Sequence, residues 1–133
     1  MMTPRKPEKF AEMRAKSRNL IISKALEVFA EHGYYKASIE MISKSAGISK
    51  GLMYNYFKSK DELLESVFMD GFKYFDEMVK INQTEISAYE KLEILLNNFT
   101  QSLKDNLSFW KLYQNIISQP VISDKLIKFK EYY

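Results

Sequence analysis

Between Ser38 and Phe57 the chain has room for two short helices and one tight turn. Ser38 offers an N-cap oxygen to a helix from Ile39 to about Ser45, ended by Ala46-Gly47, and Ser49 offers a second N-cap to a helix from Lys50 to about Phe57. Met41, Ile42 and Ser45 or Ala46 can face inward from the first, and Leu52 with Met53 or Tyr56 from the second. Two short helices around a glycine turn read as a helix-turn-helix.

The flanking segments are helical as well. Ile22, Ala25, Leu26, Phe29 and Ala30 recur at spacings of three and four, on a helix that starts as early as Pro7 or Glu8 and stops at Gly33 in the left-handed region. Ser59-Lys60-Asp61-Glu62 is a capping box, and Leu64, Val67, Phe68, Gly71, Phe75 and Met78 carry the helix it opens to Asn82-Gln83-Thr84. The lack of a side chain at Gly71 lets another element approach closely. Ser87-Ala88-Tyr89-Glu90 opens a helix with Leu92, Leu95, Leu96, Phe99 and Leu103 on one face. Ser108 caps another, striped by Phe109, Leu112, Tyr113, Ile116 and Ile117 and ended by Pro120. A last segment from Ser123 places Leu126, Ile127, Phe129 and Tyr133 inward. Four Gly and three Pro in 133 residues are too few for a sandwich or barrel with many turns, so the expected class is all-α.

Composition removes several functions. The absence of cysteine excludes disulfides, thiolate nucleophiles and Cys-based metal centres, and a single histidine excludes multi-His sites. His32, just before the helix-ending Gly33, suits the last carbonyls of its helix better than catalysis. No catalytic set, phosphate-cradling glycine loop or carboxylate cluster stands out, so we expect no enzyme activity, no metal and no cofactor. No run approaches the ~20 apolar residues of a membrane span, and a cytoplasmic location is expected. The net charge of +3 hides an asymmetry. Residues 1–60 carry 12 Lys/Arg against five Glu (+7), whereas residues 61–133 carry eight Lys against 12 acids (−4). A basic head on a mildly acidic body suits binding to a polyanion.

The run Ile22..Ala25-Leu26..Phe29-Ala30-Glu31-His32-Gly33-Tyr34..Ala37-Ser38-Ile39..Ile42, then Ala46-Gly47-Ile48-Ser49-Lys50-Gly51 and Tyr54..Phe57-Lys58-Ser59-Lys60..Leu63-Leu64, resembles the DNA-binding domain of tetracycline-repressor (TetR) family transcription regulators. The likeness covers roughly residues 16–64. It implies an N-terminal three-helix DNA-binding domain (1–58) followed by a partial helical ligand-binding and dimerisation domain (59–133). It also implies further helices, the last two forming a dimer interface, so the chain reads as truncated at its C-terminus.

In a helix-turn-helix the second helix enters the major groove. Gly51 removes a side chain where that helix nears DNA, while Ser49, Lys50 and Asn55 offer polar groups to bases or phosphates, Asn55 being able to hold adenine bidentately. The resemblance gives Tyr54 a phosphate contact; the residue alone also fits a core aromatic. Ser38 and Lys60 lie in first helical turns, where the family binds phosphate, although Ser38 also fits pure N-capping. Lys58 and Arg18 are further phosphate candidates or solvated charges. In the second half Phe68, Phe72, Phe75, Phe99, Trp110 and Tyr113 read either as core or, as the resemblance implies, as the lining of a pocket for a small apolar or aromatic effector.

The implied function is a sequence-specific transcriptional regulator. It would be a repressor released from a palindromic DNA operator by a ligand, a homodimer in its full-length form, without membrane association. The alternatives are a DNA-binding module without effector response and a helical protein–protein interaction protein.

Overall fold

A computed structural model describes the backbone of residues 6–79 and 85–118, with their side chains except those of 74, 75, 77–79, 116 and 117. Every regular element among the described residues is an α-helix: α1 (Pro7–His32), α2 (Ile39–Ala46), α3 (Lys50–Tyr56), α4 (Lys60–Val79), α5 (Ala88–Asp105) and α6 (Leu107–Ile117). The expected closing of α4 at Asn82-Gln83-Thr84 and the segment from Ser123 lie outside the described residues, as do the side chains of Phe75 and Met78.

The caps explain why these helices start and stop where they do. Ser38 Oγ accepts from Met41 N and Ser49 Oγ from Leu52 N, each at 3.1 Å. Gly47 takes the left-handed conformation (φ 69°, ψ 30°) between them, which a Cβ would penalise. Gly33 has a positive φ as expected, but its ψ of 160° leads the chain away extended instead of curling it back. Its N–H still closes α1 on Phe29 O at 2.9 Å.

The box at Ser59 differs in one arm. Glu62 N donates to Ser59 Oγ at 3.1 Å, but the Glu62 carboxylate accepts from Lys58 N at 2.7 Å, one residue before the cap. At Ser87 the box is complete, with Glu90 Oε2 accepting from the Ser87 amide (2.9 Å) and hydroxyl (2.8 Å). Those two bonds hold the Glu90 carboxyl below the usual carboxylate range.

One apolar cluster runs through the first four helices and on to α6. Ile21, Ile22, Ala25, Val28 and Phe29 of α1 meet Ile39 and Ile42 of α2, Met53 and Phe57 around α3, Leu63, Leu64, Val67 and Phe68 of α4, and Phe109 and Leu112 of α6. Ile21 and Val28 broaden the α1 face beyond the expected stripe, because α1 packs against α2, α4 and α6 at once. α2 turns Ile39 and Ser43 inward and leaves Ser45 exposed.

The close approach expected at Gly71 is made by α6, as a Cβ there would collide with the Phe109 ring. The apolar face of α5 fares differently. Leu92, Leu95, Leu96, Phe99 and Leu103 are all exposed, and none of the α5 side chains is buried among the described residues.

Candidate nucleic-acid interface

α3 is held from below and presents the rest of itself outward. Met53 is 0% exposed, and Phe57, the extended residue that ends the helix, is buried beside it. Ser49, Lys50, Gly51, Leu52, Tyr54 and Asn55 are all exposed. Seven residues with two core anchors make a helix whose outer surface is free for recognition. Leu52 therefore belongs to the outer surface and not to the core. Nothing lies within 4 Å of a Cβ built on Gly51, so the glycine meets no packing need within the fold. Tyr54 is 48% exposed, which removes its reading as a core aromatic.

Lys50 and Lys58 are exposed cations on this side of the molecule. Lys50 Nζ lies 3.9 Å from Glu40 Oε1 of α2, a solvent-facing pair that costs little to open. Ser38 is half-buried, and its Oγ is engaged in the α2 cap.

Two expected phosphate partners engage other groups of the fold. Lys60 Nζ donates to Tyr34 O (2.9 Å) and Ala37 O (3.0 Å) and lies 4.4 Å from the Tyr34 ring centroid. The physical reason is that the loop between α1 and α2 buries Tyr34 and Ala37 and leaves carbonyls that need a donor. Tyr34 donates its hydroxyl to Asp61 on the same helix turn, which closes the clasp. Arg18 reaches Asp70 Oδ2 of α4 at 3.6 Å, and its guanidinium lies 5.7 Å from the Phe57 ring centroid.

Arg14 belongs with these residues, although the spacing of the sequence does not mark it. Its guanidinium lies 4.7 Å from the Tyr56 ring centroid and donates to Asn55 O at 3.3 Å, forty-one residues away. A cation placed on the last carbonyls of α3 is favoured by the helix dipole and ties α3 to α1. His32 lies 3.8 Å from Glu31 at the exposed end of α1.

The six residues expected to line a pocket are placed as follows. Phe68 and Tyr113 pack ring to ring with Phe109 and with each other, and Phe72 packs on Phe68 and Tyr113, all at centroid distances of 6.0–6.3 Å, while Phe99 meets Trp110 edge-on at 5.4 Å. Phe75 is outside the described side chains. An apolar cleft of about 120 Å³ does exist, but it lies at the junction of the head with the later helices. Ile22 and Leu26 of α1, Val67 and Gly71 of α4 and Phe109 and Trp110 of α6 are among its walls. Trp110 is the one expected residue found there.

No group of His, Asp and Glu among the described residues is arranged to hold a metal ion, and no described helix is long and apolar enough to cross a membrane.

Comparisons with known proteins agree with this architecture. The fatty acid metabolism regulator protein of Bacillus subtilis is 37% identical over 78 residues, which are 58% of this chain and 40% of that protein. The transcriptional regulator UidR of Escherichia coli is 38% identical over 53 residues, 40% of this chain and 27% of its own length. The chain thus spans well under half of these curated relatives. Among solved structures, FadR from Bacillus subtilis in complex with stearoyl-CoA superposes with a TM-score of 0.72 at 28% identity, over 84% of this chain and 62% of that one. FadR from Bacillus halodurans gives a TM-score of 0.69 at 29% identity, over 84% and 60%. Residues 21–67, which contain α2, α3 and the clasp at Lys60, match the family described as bacterial regulatory proteins, tetR family. Over this head the chain is similar to the tetR family of bacterial regulatory proteins.

Proposed function

We propose that the chain is the DNA-reading head, with part of the regulatory body, of a transcriptional repressor that leaves its operator when a ligand binds. The observation that carries this is α3, anchored by Met53 and Phe57 and exposing Ser49, Lys50, Gly51, Tyr54 and Asn55 together. In this reading Lys50 and Asn55 contact base edges, and Ser49, Tyr54, Lys58 and the first turn of α2 at Ser38 hold phosphates. Lys60, Arg14 and Arg18 act from behind by fixing the α1–α2 loop and the C-terminal end of α3. Two such heads in a homodimer match half-sites of a palindromic operator ~34–36 Å apart, one turn of the duplex.

The effector class is proposed from the relatives. A regulator of fatty acid metabolism is among the similar proteins, and one similar structure holds stearoyl-CoA. A long-chain acyl thioester is therefore the effector to test first. A DNA-binding module that ignores effectors is the second reading, favoured by the ring-to-ring packing of Phe68, Phe72 and Tyr113, three of the residues expected to line a pocket.

A salt series on duplex binding tests the reading. The logarithm of affinity should fall steeply with the logarithm of salt concentration, and a flat response removes the DNA-binding function. Asn55→Ala and Lys50→Ala should reduce discrimination between operator and random duplex more than they reduce total binding. Stearoyl-CoA should weaken operator binding, and an unchanged affinity favours the second reading.

A further inference from the structure

The cleft at the head–body junction lies where small displacements would reach α3. Ile22 and Leu26 form its α1 wall, Val67 its α4 wall, and Phe109 with Trp110 its α6 wall. Its volume of about 120 Å³ compares with the roughly 150 Å³ at which an aliphatic cavity stays dry and takes up benzene. That is the size of one ring or a short alkyl group and far short of a long acyl chain.

Asp70 also lines the cleft, and its carboxylate holds Arg18 at 3.6 Å. Arg18 in turn lies 5.7 Å from the ring of Phe57, the residue that ends α3. Arg18 also sits one helical turn before Ile22, on the same side of α1.

We propose that this cleft is a binding site for a small neutral apolar group, aryl or short alkyl, distinct from any chamber for a long-chain effector. Its occupation moves α1 away from α4, stretches the Arg18–Asp70 bridge and loosens Phe57 beneath α3. The chain from cleft to α3 is three contacts long: ligand to α4 wall, Asp70 to Arg18, and Arg18 to Phe57. The effect on DNA rests on the DNA-binding reading above; the site itself does not.

Benzene is the probe, added at millimolar concentration to the full chain carrying labelled methyl groups and aromatic rings. Benzene should shift the methyl resonances of Ile22, Leu26 and Val67 and the ring resonances of Phe57, which is outside the cleft, while leaving Ile42 of α2, which lines no part of the cleft, unmoved. It should also weaken duplex binding by about fivefold. Leu26→Trp, which fills the cleft from α1, should abolish these responses, and Ser23→Phe, which fills it from the exposed rim, serves if the first variant does not fold. Asp70→Asn should keep the methyl shifts and lose the Phe57 response.

Absence of the methyl shifts, or their persistence in the filled variant, overturns the site. Methyl shifts with an unmoved Phe57 overturn the coupling. A chain that binds no duplex at any salt concentration defeats the proposed function alone, because the methyl and Phe57 signals are read without DNA.

Discussion

Replacing Gly71 with alanine puts two opposed effects in one residue. In an exposed helix interior, glycine to alanine is worth about 1 kcal/mol in favour of the folded state. At position 71 the new Cβ would fall on the Phe109 ring, 2.8 Å from Cδ2 and closer still to Cε2 and Cζ. Carbon atoms rest about 3.5–4.0 Å apart, so the ring would have to withdraw by well over an ångström. It has little room to do so. Phe68 lies 6.0 Å from it, Trp110 5.7 Å and Tyr113 6.3 Å between centroids, and each is packed against at least one of the others. Overpacking of this kind costs about 1–3 kcal/mol, which outweighs the helical gain. Gly71→Ala should therefore lose up to about 2 kcal/mol in urea denaturation. Phe109→Leu in the same chain should recover part of that loss, giving a coupling energy of about 1 kcal/mol in the double-mutant cycle. A Gly71→Ala chain more stable than the parent, or no coupling to position 109, would refute the packing argument.

Gly51→Ala is the converse, since nothing lies near a Cβ there. It should stabilise the fold by up to about 1 kcal/mol while weakening duplex binding, as measured by denaturation and by titration with operator DNA. Lys60→Met keeps the apolar stem but removes the donor from Tyr34 O and Ala37 O, and should cost about 1–3 kcal/mol of stability. If the fold is unaffected and only the salt slope falls, Lys60 serves phosphate instead. Arg14→Ala should lose about 0.5–1 kcal/mol, speed amide exchange at the end of α3 and leave the salt slope unchanged; a slope lower by about 0.9 would mean that Arg14 contacts phosphate. The Glu90 carboxyl is held below 4.5 by the Ser87 bonds, so the α5 cap is fully formed above that pH and is lost as pH falls through the lowered folded value. Carboxyl titration by NMR should find that lowered value, and Ser87→Ala, which removes the hydroxyl bond and leaves the amide bond, should raise it part of the way to the ordinary range.

Local signals were the most legible part of the molecule. The N-caps at Ser38, Ser49 and Ser87 and the stops at Gly33 and Gly47 depend on interactions within four residues, and the order of helices followed from them. Inward faces were legible where one neighbour dominates, as for Leu64, Val67 and Phe68 on α4. They were less so on α1, where three partners widen the buried face to Ile21 and Val28. The exposed row Leu92, Leu95, Leu96, Phe99 and Leu103 shows that periodicity reports an amphipathic helix without saying what it packs against.

By itself, the sequence determined the all-helical class, the helix-turn-helix and the residues on its second helix, because each of these rests on caps, turns and spacing that act locally. The tertiary structure alone decided what the long side chains do. Lysine and arginine stems reach well beyond their own helix turn, so whether Lys60, Arg18 and Arg14 meet a phosphate, a carbonyl, a carboxylate or a ring depends on what the fold brings beside them. The same holds for the cleft beneath Trp110, whose walls come from four helices that no spacing in the chain relates to one another.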